Sequence, residues 1–219
     1  MTYTLVYSIN KEEFPKSLYI NLTNSCTNSC VFCLRNQKDD VCGANMWHDD
    51  EFELEDVVKQ FEAYIGKVMP NGEKYLPENV VFCGYGEPFL KKEMMKNFCK
   101  YLRKNYPQIK TRVNTNGHAN AIYKTNVAEE FVGLLDNVSV SLNAADETTY
   151  YEICKPKIRD AYEEVKKFIS ACVKAGINTS TSIVTGFDKI HYIDEKECER
   201  ISQELGAKFR NREFIENGY

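Results

Sequence analysis

Residues 17–33 read SLYINLTNSCTNSCVFC, and their reading decides the fold. Ser17 to Thr23 is a short run of aromatic, branched and small residues without Gly or Pro, which predicts a buried strand. Immediately after it, Cys26, Cys30 and Cys33 stand in a C-x3-C-x2-C spacing. Three thiolates offered from one short loop can converge on neighbouring corners of a cubane [4Fe-4S] cluster, leaving the fourth iron open to a small molecule. Structural zinc prefers four protein ligands, usually as two separated pairs, and no second C-x2-C or H-x3-5-H pair is present. Cys42 is the candidate fourth ligand for the competing reading, a closed four-cysteine zinc or iron–sulfur protein without catalytic function.

Downstream of this loop, five more strand-like runs alternate with amphipathic helical stretches: Asn79 to Cys83, Lys110 to Asn114, Asn137 to Leu142, Asn178 to Val184 and Ala207 to Glu213. Such alternation is the mark of parallel βα units. Apolar stripes at helical spacing follow as Leu54, Val57, Val58, Phe61 and Ile65 behind a capping-box-like Asp50 and Glu53, then as Met94, Met95, Phe98 and Leu102. Further stripes run through Val127, Phe131, Leu134 and Leu135, through Val165, Phe168, Ile169 and Cys172, and through Cys198, Ile201 and Leu205. Gly176 and Gly206 sit where left-handed helix caps are expected. An eight-stranded barrel takes about 250 residues, so 219 residues imply an α/β fold of the incomplete, laterally open (β/α)6 TIM-like barrel kind. One domain spanning 1–219 is expected, with the cluster-binding loop at about 24–50 and an extra N-terminal strand over residues 3–8.

Lys and Arg number 28 against 32 Asp and Glu, with no basic run, which argues against generic nucleic-acid binding. The N-terminus lacks a signal-peptide pattern, and no stretch of about 18 apolar residues occurs, so neither a membrane association nor a location outside the cytoplasm is expected. Nine cysteines are many for such a chain; metal or redox chemistry explains Cys26, Cys30 and Cys33. Cys42, Cys83, Cys99, Cys154, Cys172 and Cys198 read as small buried hydrophobes.

Barrel enzymes gather their sites at the C-terminal ends of the strands, and polar motifs recur there. The second parallel strand runs into Gly84-Tyr85-Gly86-Glu87-Pro88, whose glycines permit close backbone approach and whose Glu87 supplies a carboxylate. Asn116 ends the third strand, Ser141 and Asn143 the fourth, and Val184-Thr185-Gly186 the fifth. These short side chains suit the donors and acceptors of a bound nucleoside, and turn or cap chemistry is the competing role for each Asn. Arg210 and Arg212 alternate on the sixth strand, facing either an anionic ligand or solvent. The long connection after the cluster loop makes Met46 and Trp47 candidates for a substrate lid.

The element C-x3-C-x-aromatic-C after a first strand resembles the radical S-adenosylmethionine (SAM) superfamily. The resemblance implies that the open iron is chelated by the amino and carboxylate groups of S-adenosyl-L-methionine, with Phe32 shaping the adenine side. Gly84, Gly86 and Glu87 resemble the family's GGE(P) element, which contacts the methionine amino group; Tyr85 departs from that pattern. Asn116, Ser141 and Asn143 look like SAM-contacting strand ends. Reduction by flavodoxin or ferredoxin, SAM cleavage to a 5′-deoxyadenosyl radical, and sensitivity to oxygen are implied with the family. LYINLTNSCTNSCVFCLRN, GANMW, FCGYGEP and VSVSLNAADETTYYEICKP together resemble the TatD-linked radical SAM proteins, implying a functional link to a TatD-type hydrolase. A 7-carboxy-7-deazaguanine synthase-like enzyme is the alternative branch. No residue is assigned to the substrate's own chemistry.

Overall fold

Alternation of apolar and polar side chains builds a sheet with two unlike faces. The computed structural model describes residues 4–9, 12–49 and 51–215. Its strands are β1 (Val6–Tyr7), β2 (Ser17–Ile20), β3 (Asp40–Val41), β4 (Ala44–Asn45), β5 (Asn79–Phe82), β6 (Lys110–Thr115), β7 (Asn137–Ser141), β8 (Asn178–Thr185) and β9 (Lys208–Glu213). The main sheet has the order β1-β2-β5-β6-β7-β8-β9. Every neighbouring pair from β2 to β9 is parallel, and β1 lies antiparallel on β2. All six expected parallel strands form, and β1 is a shorter version of the strand expected over residues 3–8. β1 and β9 do not pair, so the sheet stays open.

Val80, Phe82, Val113, Val138, Val140 and Ile183 turn to the face covered by helices, where they join the main core. The helices are α1 (Leu54–Ile65), α2 (Lys92–Asn105), α3 (Ala119–Tyr123), α4 (Val127–Glu130), α5 (Glu147–Cys154), α6 (Ala161–Lys174) and α7 (Glu195–Glu204). Aromatic edges lock this layer: Phe89 meets Phe131 and Phe168, each at 5.5 Å between ring centroids. None of these helices is long and apolar enough to cross a membrane.

The helices depart from the sequence expectation at three points. Asp50 lies outside the described residues, and the capping box of α1 is made by Glu53 with Asp56. The stripe through Leu135 yields only the single turn α4, because Gly133 adopts φ +76° and redirects the chain, although Phe131 and Leu135 remain buried. α5 is an added element, started by Asp146, whose carboxylate accepts a hydrogen bond from Thr149 N at 2.9 Å. Gly176 and Gly206 do take left-handed conformations after α6 and α7, at φ +75° and +78°. Cys99, Cys154, Cys172 and Cys198 are buried as expected, whereas Cys42 and Cys83 are only half-buried.

On the opposite, concave face the side chains are mostly polar. β3 and β4 form a small hairpin at its N-terminal edge, where Val41 and Met46 pack with Tyr7 and Tyr85 in a second apolar cluster.

Candidate active site

The chain leaves β2 into the loop bearing Cys26, Cys30 and Cys33, and that loop is clamped on two sides. On one side stands the segment after β5. Asn21 Oδ1 would lie 1.9 Å from a Cβ at Gly84, and the carbonyl oxygens of Thr23 and Ser25 would each lie 2.4 Å from one at Gly86. Only glycine permits this approach, which lets Glu87 N donate to Ser25 O at 2.8 Å. On the other side stands the C-terminus of α5, whose otherwise unpaired carbonyls accept from the loop: Ser29 N to Cys154 O at 3.0 Å and Val31 N to Ile153 O at 2.9 Å. Arg35 closes the loop on itself by donating to the carbonyls of Asn24 and Asn28, both at 3.1 Å.

A buried polar chain joins the two clamps. The Glu87 carboxylate accepts from Thr115 Oγ1 and Asn116 N, each at 2.7 Å, and from Phe89 N at 3.1 Å. Burial nevertheless raises its pKa to about 7, against the lowering effect of those three bonds. Asn116 Nδ2 donates to Thr27 Oγ1 at 2.7 Å, and Thr27 Oγ1 meets His118 Nδ1 at 2.9 Å. The other ring nitrogen of His118 lies 3.0 Å from Tyr150 OH, which also accepts from Asn28 Nδ2 at 3.4 Å. Burial pushes His118 down to about 4, so the ring is neutral at pH 7 and has one donor and one acceptor nitrogen for its two hydroxyl partners.

Cys26, Cys30 and Cys33 are all half-buried and free. Burial, reinforced by the Glu87 charge, pushes the Cys26 thiol up to about 11, while Asn28 N donates to its sulfur at 3.4 Å. Cys33 is raised by burial. Cys30 is raised as well, first by a hydrogen bond with the Cys154 thiol and then by burial. That partnership turns Cys30 toward α5, and among the described residues no three metal-ligating side chains are drawn into a ready-made metal site. The donor set still suits an iron–sulfur cluster: three soft thiols on one clamped loop, accessible to solvent, with two backbone or amide N–H groups aimed at Cys26. Loading would displace the thiol protons and take Cys30 from Cys154.

The remaining expected residues fall around this loop. Phe32 packs on Phe187, 4.9 Å between centroids, directly after Gly186 with its φ of +77° at the end of β8. Asn143 adopts φ +62°, donates from Nδ2 to Cys154 Sγ at 3.2 Å, and keeps Oδ1 buried without a hydrogen-bond partner. Ser141 pairs in register with Ser182 across β7 and β8. Met46 is fully buried, its carbonyl accepting from Asn21 Nδ2 at 2.7 Å. Trp47 is 40% exposed, edge-on to Tyr85 at 5.2 Å, with Nε1 donating to Asp39 at 2.9 Å. Cys42 lies in the hairpin turn, near enough to Tyr7 to oppose its ionisation. Arg210 and Arg212 stand on β9, Arg210 exposed and Arg212 partly covered.

Sequence reading missed His118, Tyr150, Arg35 and the site role of Cys154. The spacing of Tyr150 and Cys154, four residues apart and hence on one helix face, was the available signal for the last pair.

The profile described as Radical SAM superfamily matches residues 20–200. No curated protein matches the sequence. Among solved structures, TYW1 with a lysine–pyruvate adduct bound superposes at a TM-score of 0.60 and 16% identity, covering 91% of this chain and 65% of that one. SuiB of Streptococcus suis bound to S-adenosylmethionine gives 0.65 at 18% identity, covering 93% and 41%. TsrM of Kitasatospora setae, a radical SAM methyltransferase with cobalamin and a [4Fe-4S] cluster bound, gives 0.56 at 15% identity, covering 89% and 36%. At such identities the likeness is one of fold, and the chain spans from 36% to 65% of the length of these three structures.

Proposed function

The chain belongs to the radical SAM superfamily, and from that premise we propose that Cys26, Cys30 and Cys33 hold three irons of its [4Fe-4S] cluster, with the fourth iron open to SAM. Enzymes of this type use the cluster and SAM, and draw electrons from a reductant such as flavodoxin or ferredoxin. When bound, the cluster supplies the electron that breaks a sulfonium carbon–sulfur bond of SAM and so starts radical chemistry on substrate. The protein's part is placement. Gly84 and Gly86 admit backbone to the cluster loop, and Glu87, held by Thr115 and Asn116, offers a carboxylate for the methionine ammonium. Asn143 brings a buried acceptor without a partner, and Phe32 on Phe187 forms an apolar wall for adenine. Ser141 and Asn116 add polar groups, and the hairpin with Met46 and Trp47 covers one end of the concave face as a lid.

The observation that carries this reading is the three-cysteine loop clamped between Gly86 and α5. The quoted segments support the TatD-linked branch, a small-molecule substrate, sensitivity to oxygen and a functional link to a TatD-type hydrolase. Anaerobic reconstitution with iron and sulfide, followed by electron paramagnetic resonance of the reduced protein with and without SAM, tests it. A [4Fe-4S] signal that shifts with SAM, accompanied by 5′-deoxyadenosine and absent in Cys30→Ala, is expected. Stoichiometric zinc with no response to SAM would sink the assignment.

A further inference from the structure

We propose that His118 is a positioning residue for the cluster: it holds the Asn116 amide at both ends, so that one amide N–H stays on the Cys26 sulfur and raises the reduction potential of the cluster ligated there. This deepens the radical SAM reading and rests on it. Directly after β6, Gly117 at φ +82° turns the chain, and His118 N donates to Asn116 Oδ1 at 3.1 Å. With Oδ1 so committed, Nδ2 faces the other way. It donates to Thr27 Oγ1 at 2.7 Å and to Cys26 Sγ at 3.7 Å, one amide proton for each acceptor.

The ring of His118 secures the other end of this arrangement. Nδ1 meets Thr27 Oγ1 at 2.9 Å, and the opposite nitrogen is held by Tyr150 OH at 3.0 Å. The main chains on both sides are fixed without the ring: Thr27 O accepts from Lys157 N at 2.8 Å, and Asn116 N donates to Glu87 at 2.7 Å. What the imidazole adds is the setting of side chains. Thr27 alone has staggered rotamers to choose from, and the contacts to Asn116 and His118 together select one. His118 is completely buried. An apolar ring would fill the same space without two nitrogens to satisfy, so the bonds to Thr27 and Tyr150 are what distinguish a histidine there. A cluster sulfur carries more negative charge in the reduced state than in the oxidised one. An N–H donor on it therefore favours reduction.

Bond count supplies the discriminating variants. An Asn side chain ends as many bonds from Cβ as Nδ1 does, and a Gln side chain as many as Nε2 does. His118→Asn therefore keeps a partner for Thr27, whereas His118→Gln keeps one for Tyr150. Wild type, these two variants, His118→Phe, Thr27→Val and Thr27→Ser are reconstituted anaerobically, assayed for iron and sulfide per chain, and reduced in a potentiometric titration followed by electron paramagnetic resonance without SAM. At the wild-type midpoint potential, the ratio of reduced to oxidised cluster should fall about fivefold or more in His118→Gln, His118→Phe and Thr27→Val. In His118→Asn and Thr27→Ser, which restore the contact, it should stay within about twofold. Where a variant loads poorly, iron and sulfide per chain is the readout, with the same order expected. A role in packing alone would lower the melting temperature of the Asn and Gln variants alike and leave the ratio unchanged. The proposal is overturned by that result, or if His118→Asn falls as far as His118→Gln. A wild type that takes up no cluster sinks the radical SAM assignment of the three cysteines and this inference together; a loaded wild type whose potential ignores the substitutions sinks this inference alone.

Discussion

A single methyl group at Gly86 would press on the carbonyl oxygens of Thr23 and Ser25 at 2.4 Å, backbone atoms that cannot swing aside. Gly86→Ala should therefore push the cluster loop off β5. We expect a destabilisation of about 1–3 kcal/mol and a marked fall in iron and sulfide bound after reconstitution, both read on one preparation by melting and by metal analysis. Normal loading would mean that the loop is indifferent to this contact. The motif residues of this region were legible because their chemistry is local: three thiols within eight positions and two glycines flanking a tyrosine ahead of a glutamate. His118 and Tyr150 were not. Each looks ordinary along the chain, and their roles exist only because Thr27, His118 and Tyr150, from three distant segments, meet in one buried line.

Among the elements, the junction of α2 with β6 and β7 depends on one side chain. Arg103 donates to the carbonyls of Ile109, Gly133 and Leu134, to Thr111 Oγ1 and to the Asp136 carboxylate. Burial alone would raise Asp136, but hydrogen bonds from Thr111 and Arg103 bring it below the usual aspartate range. A carboxyl depressed in the folded state adds stability that is fully present above its unfolded value of about 3.9 and is lost as pH falls through the lower folded value. Arg103→Ala should cost about 2–3 kcal/mol at pH 7, and the deficit should shrink toward acid as Asp136 protonates in wild type. Urea melts at pH 7 and pH 3 check this, and an equal deficit at both would assign the loss to packing alone. Long stripes announced α1, α2, α6 and α7. α5 escaped notice because its buried Tyr150, Ile153 and Cys154 crowd one end of eight residues, too few to set a period.

For the molecule as a whole, strand order follows chain order, so the open barrel could be read from the run of βα units together with a length too short for eight. The cluster loop ties the first parallel strand to α5 near the middle of the sheet, and a cluster bound only by the folded chain should stiffen that tie. Stripping iron with a chelator under anaerobic conditions should lower the melting temperature by roughly 5–10 °C; an unchanged value would show that protein contacts alone secure the loop. The same tie orders events while the protein is being made. Cys26, Cys30 and Cys33 leave the ribosome early, yet the carbonyls that seat their loop belong to Ile153 and Cys154. At bacterial and eukaryotic elongation rates of about 5–20 residues per second, the supporting helix emerges some 6–25 seconds later. During that interval the nascent chain displays three unprotected thiols, so iron delivery has to wait for, or shield, a half-made protein.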